Sequence, residues 1–451
     1  MHNSIIKLLD LKEEDIDSID SIIEKDSSFF ITLKQKTTMC KHCGCFTSKV
    51  HDYTEKAIKV KIFNHKDTII YYRARRYKCI HCGKSFLESN PFVAAGKKTS
   101  SIDTFGILND LKHYTATYTK VAEKYNLSVT TVVSIFDKHV QIKRKPLTEV
   151  LCFDEFYFNR HSKYKYAFIM MDFKQKVILD IVESRRSEIL TEYFFHIPKK
   201  ERDQVKYICI DMYQPYVDLI RIFFPNASIC IDSFHVVKKV TDSLDAVRKR
   251  VMRQYSNDKK SKEYRLLKYR YKLLFLDSIK LDDETYFESR ILGYSVTQAG
   301  LLEAILNISD QLKIAYYLKE EYLLFNQTPR NSINPEELRK DLTEIIYSMK
   351  SSGVREFRDM SRTLNRYKNE ILNSFVWFGY RRISNGPIEG KNTYIKKIIS
   401  NANGLQNFER ARNKMMYSQN QYETFNGSEQ KRQIKRKYPP RNTYKKRKKH
   451  Y

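Results

Sequence analysis

The hydrophobic and polar positions divide the chain into four blocks with different periodicities. Residues 31–95 contain alternating runs typical of strands, and residues 101–140 have the spacing of short helices. Residues 149–235 contain short apolar runs, whereas amphipathic helical runs extend from there to about residue 425. This succession predicts a multidomain α+β protein.

The strand-rich block predicts a mixed sheet. Its apolar runs are 151–158, 166–171, 177–182, 205–210 and 227–231. An apolar helix candidate at residues 187–195 separates the third run from the fourth. Three strands, a helix and further strands buried on both faces are typical of a ribonuclease-H-like core, in which the first and fourth strands are neighbours. After this block, the runs 264–275, 301–324 and 357–377 predict an all-helical insertion over residues 236–378.

Two acidic residues interrupt the apolar runs. Asp154 lies within the first predicted strand, and Asp211 ends the fourth. A carboxylate in such a position needs a metal ion or hydrogen-bond donors to stay ionised, although each residue alone fits a strand-end cap equally well. If the two strands are adjacent, both carboxylates meet around divalent cations. Glu155 faces the other side of its strand, where we expect it to be solvated or salt-bridged.

A third acidic residue comes from the segment 384–392, which predicts a loop followed by a helix. Pro387 suits the first helical turn, and Glu389 lies in that turn. We expect this helix to pack on the sheet and Glu389 to point at the metals.

Two C-x-x-C-G sequences predict a metal site in the first block. They contain Cys40, Cys43, Cys79 and Cys82, and the two strand-like runs lie between them. Four thiolates can surround one Zn²⁺ tetrahedrally, and the glycine after each pair permits a tight turn. Each C-x-x-C-G turn is a zinc knuckle, and the order of knuckle, hairpin and knuckle predicts a zinc ribbon with one structural Zn²⁺. Three further potential ligands are expected to be bystanders: Cys45, His42 and His81.

Residues 118–136 have the spacing of a helix-turn-helix. Ala122 is small where two helices would cross, Asn126 suits a left-handed turn, and Ser128 can cap the second helix. A generic helical hairpin would also satisfy this pattern. Together, the second helix and the returning strand of the ribbon supply these DNA-contact candidates: Thr130, Thr131, Ser134, Lys138, Arg73, Arg75, Arg76 and Lys78. The four basic residues of the strand equally fit a solvated strand face.

The charge of the chain favours a polyanionic partner. Lys and Arg number 82 against 53 Asp and Glu, a net charge of +29. Residues 1–30 are acidic, whereas residues 427–451 predict a disordered basic tail that contacts DNA phosphates or, alternatively, aids solubility. The sequence has no apolar run long enough for a membrane span and no signal peptide, so we expect a cytoplasmic, nucleoid-associated protein without a membrane partner.

At these residues the chain resembles the DDE transposases of bacterial insertion sequences, specifically the ISL-three family. The resemblance extends from the cysteine pairs to about residue 416. The matching motifs are CKHCG, YRARRYKCIHCGKSF, FDEFYF, IDMYQPY, IDSFHVVKK and SNGPIEGKNTYIKK.

The resemblance implies a function for several of these residues. It assigns the catalytic triad to Asp154, Asp211 and Glu389, which would hold two Mg²⁺ or Mn²⁺ ions. Asp232 and His235 match a D-x-x-H element, and we predict that they support the catalytic residues or orient DNA, with strand-end capping as an equal alternative. The expected partners are double-stranded DNA, as terminal inverted repeats and target, and further copies of the chain in a homodimer or larger assembly.

These interpretations define seven regions and leave two rival functions. The rivals are a catalytically inactive DNA-binding regulator and a ribonuclease-H-like structure-specific nuclease. The regions are an acidic segment (1–30), a zinc ribbon (31–95), a helix-turn-helix (101–145), the first part of the catalytic core (149–235), a helical insertion (236–378), the C-terminal helices of the core (379–425) and a basic tail (427–451).

Overall fold

The computed structural model describes residues 11–23, 27–61, 67–93, 101–402 and 405–420. The described residues form two compact units. The first comprises those up to Asp110 together with Tyr118–Gln141, and the second comprises Leu111–Thr117 and those from Ile142 onward. The predicted basic tail lies outside the described residues, as do parts of the acidic segment. No helix in the described ranges is both long and apolar enough to cross a bilayer.

The first unit is built on a five-stranded sheet. Its strands are β1 (Ile16–Ile23), β2 (Ser27–Leu33), β5 (Val50–Lys61), β6 (Asp67–Lys78) and β7 (Ser85–Leu87), and β3 (Thr38–Met39) pairs separately with β4 (Phe46–Thr47). The order is β1-β2-β6-β5, with β7 also paired to β6. The long hairpin β5–β6 lies between the two cysteine pairs, where the sequence predicts a hairpin.

Strands β1 and β2 were not predicted. In β1, acidic and hydroxyl side chains separate the few apolar residues, so the alternation is weak. In β2, Phe29 and Ile31 are buried against Ile70 and Tyr72 of β6, which makes this strand part of the core of the unit. The predicted boundary at residue 30 therefore falls inside a strand.

Helices α1 (Ser101–Leu111), α2 (Tyr118–Tyr125) and α3 (Val129–His139) follow this sheet in the chain. Asn126 adopts a left-handed φ of 52° in the turn between α2 and α3. The Ser128 hydroxyl accepts a hydrogen bond of 3.1 Å from the Thr131 amide and caps α3. Both local features agree with those predicted.

The second unit contains a five-stranded mixed sheet. Its strands are β8 (Val150–Tyr157), β9 (Tyr166–Asp172), β10 (Val177–Val182), β11 (Tyr207–Ile210) and β12 (Ser228–Ile231). The order is β10-β9-β8-β11-β12. Strand β9 runs antiparallel to both of its neighbours, β8 and β10, whereas β11 runs parallel to both β8 and β12. Each predicted apolar run forms a strand, and the first and fourth are neighbours, as expected.

Helices surround this sheet and fill the interval after it. They are α4 (Ser187–Phe195), α5 (Lys199–Asp203), α6 (Gln214–Phe223), α7 (Ser233–Gln254), α8 (Lys262–Tyr269), α9 (Gln298–Leu306), α10 (Asp310–Asn326), α11 (Pro335–Ser351), α12 (Arg355–Arg366), α13 (Lys368–Asn373), α14 (Gly386–Asn401) and α15 (Phe408–Gln419). One apolar core joins the sheet to α4 and to α6 through α13, and it includes Phe153 packed against Phe168 and Phe194.

The prediction that residues 236–378 are all-helical is wrong. Strands β13 (Phe287–Ser289) and β14 (Tyr294–Val296) form a hairpin within this interval, and β15 (Trp377–Phe378) pairs with β16 (Arg381–Arg382) at its end. Gly293 allows the first turn with a φ of 81°. Strands of two or three residues are too short to produce a recognisable alternation.

The C-terminal helices pack on the sheet. Helix α14 contacts β8, and α15 contacts β10, which is the outer strand. Just after α15, the Asn420 side chain bonds both backbone groups of Ile178 on β10. It donates to the carbonyl oxygen and accepts from the amide, each at 3.0 Å.

Candidate functional site

Three acidic side chains lie at the same level on adjacent parallel strands. Cys152 of β8 pairs with Cys209 of β11, so two residues further on Asp154 lies beside Asp211. Asp232 follows the last residue of β12 just as Asp211 follows the last residue of β11. Neighbouring parallel strands are about 4.8 Å apart, so the three carboxylates come together near the C-terminal ends of these strands.

His235 connects two of these carboxylates. Its Nδ1 lies 2.9 Å from Asp211 Oδ1 and 2.9 Å from Asp232 Oδ2. These hydrogen bonds, with Asp211 first and Asp232 second, raise the pKa of His235 to about 10. Asp232 is 1% exposed and occupies the N-cap position of α7, yet its carboxylate makes no capping bond. The geometry therefore links Asp232 to the other acidic residues, whereas simple capping would not.

Two asparagines support the carboxylates. Asn392 of α14 donates its amide to Asp154 Oδ2 at 2.7 Å. Asn385, just before α14, donates its side-chain amide to Asp211 Oδ1 at 3.3 Å and its backbone amide to Asp232 Oδ1 at 3.1 Å. Both side chains are buried, and neither amide oxygen has a hydrogen-bond partner among the described residues. Sequence reasoning missed these supporting roles, although both residues lie in the segment 384–392 that it selected.

The site accumulates negative charge. Burial raises the pKa of Asp154 to about 7, and the nearby charges of Asp211, Glu155 and Glu389 add to the effect. Burial also raises the pKa of Glu389, and the negative charge of Asp232 adds to this shift. A cation bound among these groups would relieve both the burial cost and the repulsion.

The most compact oxygen and nitrogen cluster differs from the predicted triad. Within the described ranges, Asp211, Asp232 and His235 each place one potential metal-ligand atom within 4.8 Å of those of the other two. Asp154, Asp211 and Glu389 do not form such a set. Carboxylate oxygens suit Mg²⁺ and Mn²⁺. Asp154 and Glu389 lie close enough to the cluster to interact electrostatically with Asp211.

Glu155 serves the fold. It accepts hydrogen bonds from Arg185 at 2.5 Å and from the Tyr216 hydroxyl at 3.0 Å. The expected salt bridge on this side of β8 is therefore present.

The four predicted cysteine ligands come together in the first unit. Sγ of Cys40 lies 3.7 Å from that of Cys82, and Sγ of Cys43 lies 3.6 Å from that of Cys79. A tetrahedral Zn²⁺ with bonds of about 2.3 Å would separate its sulfurs by about 3.8 Å, so the cluster is compatible with zinc. The Cys82 amide donates to Cys79 Sγ and lowers the pKa of this thiol to about 6, which favours the ligating thiolate.

Two glycine turns and two further potential ligands lie beside the four cysteines. Gly44 and Gly83 have φ angles of 78° and 71°, as the tight turns require. Cys45 and His81, expected as bystanders, form a second compact group with Cys43.

The basic candidates on β6 do not form one exposed row. Arg75 is only 3% exposed and lies beside Glu88, which also accepts from the Arg75 backbone amide at 2.7 Å. This burial is a correction to its prediction as a DNA contact, because the guanidinium does not reach the surface. Arg73 and Lys78 are exposed, and Arg76 is half-buried in an ion pair.

The DNA-contact candidates on α3 also differ in their exposure to solvent. Thr130, Ser134 and Lys138 are exposed at intervals of four residues and thus share one helix face. Thr131 is half-buried, and its hydroxyl lies 2.8 Å from that of Ser128 in the capping turn.

Comparison with known proteins assigns the chain to a family. The family model of ISL3 DDE transposases, described as transposase, matches residues 151–415. The chain therefore belongs to the ISL3 (ISL-three) family of DDE transposases. It is also similar to the transposase for insertion sequence element IS1001 of Bordetella parapertussis, with 24% identity over 390 residues that cover 85% of this chain and 89% of that relative. Membership implies DNA binding and the use of divalent metal ions.

Proposed function

We propose that the chain is a DDE transposase that binds terminal inverted repeats, hydrolyses a phosphodiester bond at each element end and joins the resulting 3′-OH to target DNA. The observation that carries this proposal is the alignment of Asp154 and Asp211 on adjacent parallel strands. The strand order and directions of the second sheet support a ribonuclease-H-like core.

In this proposal, Asp154, Asp211 and Glu389 hold two Mg²⁺ or Mn²⁺ ions. The ions would activate water and then the 3′-OH, and would stabilise the charge that develops on the phosphate oxygens. The carboxylates are buried and repel one another, and their oxygen atoms are suitable ligands, so the site fits divalent cations.

The other residues of the site position the ligands. Asn392 fixes the rotamer of Asp154 through its amide. His235 and Asn385 hold Asp211 and Asp232 at their observed positions, so Asp232 and His235 act as supporting residues. Each supported carboxylate keeps its orientation without the reorganisation that would otherwise accompany cation binding.

The first unit would bind DNA. Cys40, Cys43, Cys79 and Cys82 hold one structural Zn²⁺ in a zinc ribbon, and α2 and α3 form a helix-turn-helix. The exposed groups that face DNA are Thr130, Ser134, Lys138, Arg73 and Lys78. The tail of residues 427–451 adds phosphate contacts, and two DNA ends are brought together by a homodimer or larger assembly.

A cleavage and joining assay tests this function. The substrate is a labelled duplex containing the DNA that flanks the gene, and the wild type is compared with Glu389→Ala in Mg²⁺. We expect nicking at a repeat boundary followed by joining, both lost in the variant. Tight binding without metal-dependent cutting would instead indicate a DNA-binding regulator, and cutting without joining would indicate a structure-specific nuclease.

A further inference from the structure

The hairpin β15–β16 presents an aromatic side chain to solvent. Gly379 and Tyr380 form its two-residue turn, and Gly379 has a φ of 61°, as the first position of a type II′ turn requires. Tyr380 is 98% exposed, more than any other large hydrophobic side chain in the described ranges. The ring of Tyr380 is therefore open to stacking by a flat ligand such as a base.

The hairpin is firmly anchored. Arg330 donates to the Gly379 carbonyl oxygen at 2.8 Å. The Arg382 guanidinium donates to the Ser374 carbonyl oxygen at 2.8 Å and lies 3.7 Å from the centre of the Phe375 ring. The exposed ring therefore stands on a fixed support, which lowers the entropic cost of binding through it.

A cationic cavity of about 390 Å³ lies between this hairpin and the first turns of α14. Its lining residues are Phe173, Lys176, Arg381, Arg382, Ser384, Gly386, Pro387 and Gly390. None of these is acidic, and neither Lys176 nor Arg381 forms an ion pair with any described residue. Glycine at two of the lining positions leaves room for a group to approach the backbone of α14.

The backbone conformation of Lys176 adds to the case for an anionic ligand. Lys176 has a φ of 57°, a conformation that favours glycine or asparagine, so a lysine is held there at a conformational cost. Like charges gathered without acidic partners are best neutralised by a phosphate group.

We propose that this cavity binds a phosphate of a DNA strand through Lys176 and Arg381, while Tyr380 stacks on the neighbouring base. This nucleotide subsite rests on the proposed function, because its ligand is DNA. Asn385, which bonds Asp211, lies five positions after Tyr380, so the Cα atoms of Tyr380 and Asn385 are at most about 18 Å apart. A strand held here therefore lies a few nucleotides from the reacting phosphate.

The sole tryptophan provides a local probe. Trp377 belongs to the same hairpin and is the only Trp of the chain. The full-length protein, without Mg²⁺, is titrated with 5′-phosphorylated thymidine trinucleotide while the Trp emission is recorded. We expect a saturable change that inorganic phosphate reverses at high concentration.

Substitutions then test the two halves of the subsite. Tyr380→Ala should weaken trinucleotide binding about 5- to 150-fold, the usual loss for one stacked base. The double variant Lys176→Asn and Arg381→Gln should reduce the slope of log affinity against log salt by about 0.7, the value for one lost phosphate contact on a single strand. Matched substitutions of exposed residues on α11, Tyr347→Ala and Lys340→Gln, should change neither quantity.

The outcomes separate this subsite from the proposed function. Binding and salt slopes equal to those of the wild type in both cavity variants, or no Trp response to the trinucleotide, would overturn the subsite while terminal-repeat cleavage persists. A wild-type chain that neither binds nor cuts a duplex carrying its terminal repeats would overturn the proposed function and the subsite with it. Unchanged circular dichroism and melting temperature would exclude unfolding as the cause of any loss.

Discussion

One residue of the cysteine cluster in the first unit and one residue of the carboxylate cluster in the second have pKa values shifted in opposite directions. In the first, a backbone amide donates to Cys79 and lowers the pKa of its thiol to about 6. In the second, burial raises the pKa of Asp154 to about 7. Backbone hydrogen bonding therefore stabilises the Cys79 thiolate although, despite a backbone hydrogen bond from Cys45, burial and the neighbouring thiols raise the pKa of Cys43 to about 12. For Asp154, the cost of burial outweighs its hydrogen bonds.

The surroundings of the two clusters explain this difference. The buried residues packed with the cysteines include only Tyr77 and Phe86 besides Cys40 and Cys79, too small a core to fold alone. The carboxylates lie on a sheet whose core extends through most of the second unit. A cation would therefore hold the first region together, but the second region should fold without one and use its cation for chemistry.

The largest effect should follow removal of the thiolate ligands. Cys79→Ser should abolish binding of one zinc per chain and unfold the knuckles, because structural zinc contributes about 10–16 kcal/mol to the folding of comparable small sites. Metal content by mass spectrometry and circular dichroism would measure this. Cys45→Ser is the matched control, and full zinc content in Cys79→Ser would show that the four-cysteine site is wrongly assigned.

Removal of the central carboxylate should affect chemistry and not the fold. Asp154→Asn should reduce DNA cleavage by about 10²–10³-fold or more, the scale expected for a lost electrostatic partner at a reaction centre. It should also leave the metal-free protein at least as stable as the wild type, because it removes a buried, repelled charge. Cleavage rates and thermal melts together test this.

The adjacent residue on β8 supplies the control for that experiment. Glu155→Gln weakens the bonds to Arg185 and Tyr216, so it should lower the free energy of unfolding by about 1–3 kcal/mol and leave cleavage largely intact. If Glu155→Gln removed cleavage while Asp154→Asn did not, the assignment of the two acidic residues would be reversed.

Loss of a supporting amide should have an intermediate effect. Asn392→Ala frees the Asp154 carboxylate from its 2.7 Å hydrogen bond and should lower metal affinity or cleavage about 10- to 100-fold. Calorimetric titration with Mg²⁺ measures the affinity directly. Thr393→Ala, which alters an exposed neighbour on α14, should match the wild type, and equal affinities in both variants would argue against a positioning role.

The smallest effect concerns an exposed carboxylate just before β8. Hydrogen bonds from Lys174 and Lys206 lower the pKa of Glu149 to about 2. Its stabilising contribution is therefore present above about pH 4.5 and is lost as the pH falls towards 2. Glu149→Gln should lower the melting temperature by about 1 °C at pH 7 and by less at pH 2, and a larger difference at pH 2 would contradict this sign.

The two regions also differ in how far their sequences predict them. The cysteine ligands lie in two short motifs, so local spacing identifies the set. The acidic residues were recognisable because they interrupt apolar runs, but their hydrogen-bond partners were not. Asn392 and Asp154 are 238 residues apart in the chain, and only the packing of α14 on the sheet brings them together.

Burial produced the remaining surprises. Arg75 belongs to a basic stretch that resembles an exposed strand face, yet it is covered beside Glu88. Strand β2 carries no long apolar run, yet its inward-facing residues belong to a core that it shares with β1, β5 and β6. Both outcomes depend on which surfaces meet, and a pattern read along one segment does not contain that information.

The side-chain amide of Asn420 has a consequence for behaviour at high concentration. Outer strands offer free backbone groups on which another polypeptide can extend a sheet, and this route leads to aggregation. Asn420 occupies both backbone groups of Ile178, so the exposed side of β10 is blocked there to a strand from a second molecule. The Asn420 side chain thus limits one unwanted mode of self-association at this edge.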